Sequence, residues 1–343
     1  VKVTIKEIAK KAGVHPATVD KVLHNRVGVS DEVRQKVQTI INEAGYKPNP
    51  AGRILQKQGK EFRIAAILAD VDAMPFLKEG IDCGIREQAG LQIQAEYHIT
   101  KFHDAQGQAA ILDHATASHV DGIIISPVNS EQVRSAIDRA TEKGIPVVTT
   151  DSDIGDAKRM CYVGMDNAKA SRVAGRLMGE FLRGSGQAAI ISSAIAAENN
   201  NYGVATRQQG FTRFIQTEFP GIEIVTCLES FEDAAITYQK TVEILSEYPN
   251  LHGIYITCGG VAEVGRALKE SGREKEVTVV CFESYPEILR LMQQNVVNCT
   301  LASDFQRQGM LPVKLIMDQL VFGIKPERDQ LFTEFRVLVK ESL

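Results

Sequence analysis

No run of about 18 apolar residues occurs anywhere in the chain, so the sequence predicts no membrane-spanning helix. The opening residues, Val1-Lys2-Val3-Thr4, form no apolar signal core, and the expected location is the cytoplasm. Cysteine is sparse. Cys83, Cys161, Cys227, Cys258, Cys281 and Cys299 lie far apart in apolar contexts, and no two make a Cys-x-x-Cys pair. That spacing excludes a disulfide framework or a zinc module and predicts reduced thiols. Tryptophan is absent and aromatic residues make up 6%, which discriminates between no classes. No Gly-x-Gly-x-x-Gly follows a strand-like run, and there is no P-loop. Gly184-Ser185-Gly186 reads as turn punctuation. His114 and His119 are five residues apart and share no helical face, so no metal site is expected. The chain offers neither a cofactor signature nor a catalytic residue, and the expectation is a protein that is not an enzyme.

The informative residues lie at the start. Thr4-Ile5-Lys6-Glu7-Ile8-Ala9-Lys10-Lys11-Ala12-Gly13-Val14 predicts a capped helix, with Thr4 as N-cap and Glu7 completing a capping box. Ile5, Ile8, Ala9 and Ala12 fall on one face. Gly13 permits a sharp turn, and Pro16 suits the first position of a second helix. On that helix Val19, Val22 and Leu23 point inward, while Ala17, Asp20, Lys21 and His24 point out. A third helix is expected over Asp31 to Glu43, capped by Ser30, with Tyr46 closing a small core. Such a pair of helices leaves the outer face of the second free to enter a DNA major groove.

Charge follows the same division. Residues 1–60 hold twelve lysines and arginines (Lys2, Lys6, Lys10, Lys11, Lys21, Arg26, Arg34, Lys36, Lys47, Arg53, Lys57, Lys60) against Glu7, Asp20, Asp31, Glu32 and Glu43. The head is basic in a chain whose formal net charge is −4, as expected when only the head meets phosphates. Residues 47–60 are rich in Pro, Gly, Gln and Lys and read as a linker, interrupted by apolar Ile54-Leu55.

At 343 residues the chain exceeds one ordinary core. From Phe62 onward strand-like and helix-like patterns alternate. Strands are expected at 62–69, 91–97, 120–126, 145–150, 187–193, 222–228, 252–257, 277–282 and 297–302, with helices at 105–118, 129–143, 205–219 and 234–247. Apolar runs such as Gly122-Ile123-Ile124-Ile125 imply parallel sheets covered on both faces. About nine strands fit two doubly wound lobes, with a break near 163–168.

Ligands of such lobes bind beyond the carboxyl ends of strands. The residues there are Asp72 and Phe76, Asp151 and Ser152, Tyr202, Arg207, Phe231, Cys258, Glu283 and Asp304. Carboxylates accept hydroxyl hydrogen bonds, Arg donates several, and an aromatic face covers the apolar side of a sugar ring. Asp151 and Asp153 lack an accompanying nucleophile or third metal ligand, so they read as polyol-binding carboxylates. Asp304 reads equally as a helix N-cap.

These motifs, together with Thr18-Val19, Val29-Ser30, Arg34, Val37, Gly45-Tyr46-Lys47-Pro48-Asn49 and Arg53-Ile54-Leu55, resemble the LacI/GalR family of bacterial transcription regulators over essentially the whole length. Gly144-Ile145-Pro146-Val147-Val148-Thr149-Thr150-Asp151 and Tyr162-Val163-Gly164-Met165-Asp166-Asn167 resemble sugar-binding lobes of the periplasmic type. The resemblance implies an all-α helix-turn-helix head (1–47), joined by a hinge (48–60) to an α/β effector domain (61–343). That domain would consist of two doubly wound parallel-sheet lobes of the type I periplasmic-binding-protein kind. Lobe 1 would comprise about 61–163 and 298–324, and lobe 2 about 164–297 and 325–343. A homodimer on a near-palindromic double-stranded operator is implied. Thr4, His15, Pro16, Ala17, Thr18, Asp20, Lys21, His24, Asn25, Asn49, Arg53 and Leu55 would meet DNA, with Leu55 wedging the minor groove. A small effector, a monosaccharide or polyol, would lie between the lobes, Asp151 facing Arg207, with Phe76 or Phe231 over the ring.

The sequence departs from that pattern in places. Asp20 precedes Lys21 where the family usually has Ser, Gly52 stands where the hinge often has Ala, Glu283 replaces Asp, and Cys258-Gly259 replaces Asn-Asp. A transport-type sugar-binding protein would share the lobes without the head. A sugar-active enzyme on the same lobes would need a nucleophile that the motifs do not supply.

Overall fold

The computed structural model describes residues 3–23, 26–44, 53–55, 57, 59–101, 103–194 and 201–343. His24, Asn25 and Asn49, expected on DNA, and Tyr46, Gly52, Asn199 and Asn200 lie outside the described residues. The chain divides into two compact units, residues 1–60 with 318–324, and residues 61–317 with 325–343.

The first unit is built on three helices, α1 (Ile5–Ala12), α2 (Pro16–Leu23) and α3 (Asp31–Glu43). The capping box forms as the sequence predicts. The Glu7 amide donates to Thr4 Oγ1 at 3.3 Å, and the Thr4 amide donates to Glu7 Oε2 at 2.7 Å. Two of the orphan donors at the helix start are thereby satisfied. Gly13 closes α1 with a left-handed φ of 69°, a conformation costly for any residue with a Cβ. Ile8, Ala9, Ala12, Val19, Val22, Val37 and Ile41 make the core. Ser30 occupies the N-cap position of α3, but its side chain makes no capping bond, contrary to expectation. Arg53, Ile54 and Leu55 are helical. A wide π-type turn over Asp318–Phe322 belongs to the same unit.

The second unit holds two six-stranded sheets. The first sheet is formed by β1 (Glu61–Ala69), β2 (Gln92–Thr100), β3 (Gly122–Ile125), β4 (Val147–Thr150), β5 (Cys161–Met165) and β11 (Gln330–Thr333), in the order β11-β5-β4-β3-β1-β2. The second is formed by β6 (Ser185–Ser192), β7 (Gly221–Glu229), β8 (Leu251–Ile256), β9 (Thr278–Phe282), β10 (Cys299–Ser303) and β12 (Phe335–Leu338), in the order β12-β10-β9-β8-β6-β7. All pairings are parallel except β10 with β12. Helices flank both sheets: α4 (Met74–Glu87), α5 (Ala105–Ala117), α6 (Glu131–Glu142), α7 (Asn167–Phe181), α8 (Tyr202–Glu218), α9 (Ala234–Glu247), α10 (Val261–Glu270), α11 (Pro286–Gln293) and α12 (Phe305–Met317). Central strands are buried on both faces, so their apolar residues run without alternation. In β6, Ala188 and Ile190 join one core cluster, while Ala189 and Ile191 join another.

The lobe boundaries drawn from the sequence need three corrections. Val163–Met165 completes β5 in the first sheet, where Val163 registers with Leu331 of β11. β10 belongs to the second sheet, where Cys299 registers with Val280 of β9, not to lobe 1. β11, expected in lobe 2, is the edge of the first sheet. The chain thus passes between lobes three times, after β5, after β10 and after β11. On its second passage it forms α12, which packs against α4 in the first lobe. There Gly309 on α12 meets Gly80 on α4, and a Cβ built on Gly309 would lie 2.7 Å from the Ile81 amide nitrogen and 2.8 Å from Gly80 Cα.

Candidate functional site

Strand ends from both lobes converge on one cavity of about 450 Å³. That volume suits a molecule of monosaccharide size. From the first lobe come Asp72 beyond β1, Ser126 beyond β3, and Asp151 and Ser152 beyond β4. From the second come Arg207 on α8, Glu232 beyond β7, Cys258 beyond β8 and Glu283 beyond β9. Parallel strands of one sheet end on the same side, so topology alone delivers these residues to one cleft.

Arg207 is the most constrained side chain there. Its Nε donates to Asn167 Oδ1 at 2.7 Å, Nη1 to the Thr257 carbonyl at 3.1 Å, and Nη2 to Glu283 Oε1 at 3.4 Å. The guanidinium carbon lies 3.8 Å from the centroid of the Phe282 ring. Glu283 is held in turn by the Ser303 amide at 2.9 Å and the Ser303 hydroxyl at 3.0 Å. Burial raises the Glu283 pKa against the lowering pull of Arg207.

Asp151 faces this pair from the other lobe. Its carboxylate accepts a long hydrogen bond from Ser126 Oγ at 3.4 Å. Burial, with the Glu283 charge adding to it, pushes its pKa up to about 6. The folded pKa therefore exceeds the unfolded value of about 3.9. Between the two, the native state keeps a proton that the unfolded chain has lost, so this group lowers stability as pH rises through that window. Ligand-free Asp151→Asn is accordingly expected to be more stable than the native protein by on the order of 1–2 kcal/mol at about pH 8, with no gain at about pH 4. Thermal melts at both pH values check it, and equal melting temperatures at the higher pH would refute it.

The cleft is bridged where Ser152 Oγ donates to Asn201 Oδ1 at 3.5 Å, Asn201 being the N-cap of α8. Asp153, paired with Asp151 in the sequence reading, is drawn away from the cavity. Arg159 clamps it with two bonds, at 2.5 and 2.6 Å, and the Thr149 hydroxyl donates to it at 2.8 Å.

Of the ten ligand-site residues expected from sequence, the structure brings together Asp72, Asp151, Ser152, Arg207, Cys258 and Glu283. Burial raises the Cys258 thiol pKa and keeps it in the unreactive form. Four residues lie elsewhere. Tyr202 opens α8 with its ring 47% exposed, while its neighbours Asn201 and Gly203 line the cavity. Phe231 is equally exposed. It and Glu232 take left-handed φ values of 53° and 57°, which turns the Glu232 side chain to the cavity in its place. Phe76 and Asp304 line a second cleft. Asp304 caps α12 by accepting from the Arg307 amide at 2.9 Å. The rings on the cavity wall are instead Phe282, Tyr285 and Phe305, the last two stacked within 2° of parallel at 6.2 Å. No sequence signal short of the fold marked Tyr285 and Phe305, since their helices come from different lobes. Among the described residues no group of three or more His, Cys, Asp or Glu side chains could hold a metal.

In the head, Ala17 and Lys21 are exposed on α2 and Thr18 is partly so. His15 caps α2, its Nδ1 accepting from the Ala17 amide at 3.2 Å. Asp20 pairs with Arg26 at 3.3 Å, which offsets its repulsion of phosphate. Leu55 is 64% exposed. The Arg53 guanidinium donates to the Phe322 carbonyl at 2.5 Å.

A helix-turn-helix head and a two-lobed binding fold with a polar cleft define a DNA-binding protein with a sugar-binding-type effector domain. Residues 4–49 match the lacI family of bacterial regulatory proteins, and residues 65–324 match the periplasmic binding protein domain. The chain belongs to the LacI family of transcriptional regulators, a non-enzymatic family. It is 26% identical over 294 residues to the HTH-type transcriptional regulator GntR of Pseudomonas aeruginosa, covering 82% of this chain and 80% of that protein. It is 24% identical over 353 residues to the HTH-type transcriptional regulator CelR of Thermobifida fusca, covering 99% and 98%. Among solved structures it is similar to GanP, a glucose-galactose binding protein from Geobacillus stearothermophilus. There the TM-score is 0.75 at 27% identity, over 83% of this chain and 99% of that one. No helix among the described residues is long and apolar enough to cross a membrane.

Proposed function

We propose that the protein is a cytoplasmic, homodimeric repressor whose affinity for a near-palindromic operator is set by a monosaccharide or polyol bound in the cleft. The observation that carries this reading is the meeting of Asp151 and Ser152 with Arg207 and Glu283 across one cavity, in a chain with a DNA-binding head. A ligand held by both lobes favours the closed state, and it alters operator affinity only through its differential affinity for that state. The likeness to a glucose-galactose binding protein supports the size and polarity of the effector.

Binding of the operator would place α2 in the major groove and Leu55 in the minor groove at a deformable step. Arg53 would leave the Phe322 carbonyl to reach DNA. The test begins with selection of bound duplexes from a random library, followed by titration of the selected site. Lys21→Ala is expected to weaken specific binding about tenfold and to flatten the salt dependence by about one unit of slope. Unchanged affinity across a salt series would remove α2 from the groove. Leu55→Ala is expected to lower the ratio of specific to non-specific affinity, and a parallel fall in both would make Leu55 a packing residue. A thermal-shift screen over sugars and polyols then finds the effector, because a bound ligand stabilises by mass action.

A further inference from the structure

The charge lining the cleft goes beyond what a neutral polyol requires. Among the described residues six carboxylates border it. Asp151, Glu232 and Glu283 stand deep, and Asp72, Glu263 and Glu287 stand nearer its edge. Among the described residues only Arg207 and His103 on the same walls can carry positive charge. Arg207 is already engaged at every nitrogen, and its ion pair is with Glu283, so its charge reaches Asp151 and Glu232 only at longer range. Neither Asp151 nor Glu232 forms an ion pair with a described residue. Both are aimed inward by left-handed backbone, at φ of 62° and 57°, which non-glycine residues seldom adopt. The stacked Tyr285 and Phe305 rings stand on the wall beside them, and aromatic faces attract cations as well as sugar CH groups.

Carboxylates gathered on the walls of one cleft repel one another, and an anionic ligand adds to the repulsion. A protonated amine relieves it. It donates up to three charge-assisted hydrogen bonds to Asp151 and Glu232, which form no ion pair with a described residue. We propose that the effector is an amine-bearing polyol of monosaccharide size, its ammonium group seated between Asp151 and Glu232 and its hydroxyls on Arg207, Asn167 and Glu283. This rests on the polyol reading of the cleft given above and narrows it to a cationic class.

Calorimetry on the full chain tests it with glucosamine, galactosamine, mannosamine and glucamine, against glucose, galactose, mannose and sorbitol, with gluconate as the anionic control. At least one amine is expected to bind tenfold or more tightly than its parent, and gluconate is expected not to bind. Asp151→Asn and Glu232→Gln, both nearly isosteric and each checked for cooperative unfolding, are expected to bring that ratio below threefold. A parent that binds as tightly as its amine overturns the inference and leaves the neutral-polyol reading standing. Retention of the full amine preference in both variants overturns the placement of the ammonium. If no amine and no parent binds, the inference and the polyol reading both fall.

Discussion

Arg207→Ala should lower the stability of the protein by about 3–5 kcal/mol and abolish effector binding. The side chains of Arg207 and Glu283 are only 12% and 10% exposed, and removal of the cation leaves the Glu283 carboxylate buried without its charge partner. The Asn167 side chain and the Thr257 carbonyl lose their donor as well. In a domain of this size each kcal/mol corresponds to roughly 2–4 °C of melting temperature. Arg207→Met combined with Glu283→Gln should recover most of the stability, because a buried pair exchanged for neutral groups costs far less than a broken pair. Binding should stay lost in the double variant, so calorimetry separates the two roles. A single variant that melts within about 1 °C of the native protein would show that solvent already screens the pair.

Gly309→Ala should be comparably damaging, though it lies outside the cleft. The added methyl would meet the Leu77 carbonyl, the Ile81 nitrogen and Gly80 Cα, all backbone atoms of α4 that cannot rotate away. Overpacking of a core typically costs 1–3 kcal/mol, and a clash with rigid backbone belongs at or above the top of that range, about 3 kcal/mol. Gly155→Ala is the matched control. Nothing lies within 4 Å of a Cβ there and its φ is not left-handed, so it should be neutral or stabilising by about 0.5 kcal/mol. Similar denaturation midpoints for the two variants would mean that α12 can slide off α4 without cost. Because α12 begins at Phe305 on the cavity wall, such sliding would also show in ligand affinity.

Local signals located the helices and the central strands. Thr4 and Glu7 announce α1, and the amphipathic run beginning at Ala234 is the helix expected there. The buried strands were legible because apolar residues on both faces leave unbroken runs. β11 and β12 were not, since their exposed residues give no such run and their partners lie far away in sequence. β5 was mistaken for a boundary for the same reason, since its place beside β4 is a tertiary fact. In the cleft, the rule that strand ends carry the site found Asp151 and Glu283. It missed Glu232 by one residue, because two consecutive left-handed residues turn the chain there. Tyr285 and Phe305 could not be paired from sequence, since their stacking depends on passages of the chain between lobes.

Those passages also order the birth of the molecule. During synthesis β1 to β5 emerge first, yet their sheet lacks its outer strand until Gln330–Thr333 leaves the ribosome, and α12 covers α4 only shortly before. At 5–20 residues per second, roughly ten to thirty seconds separate β5 from β11. Through that interval the edge of β5 and the glycine face of α4 stand bare. The lobe made first is thus completed only at β11, a few residues before β12 completes the other, so an early start in synthesis confers no early finish.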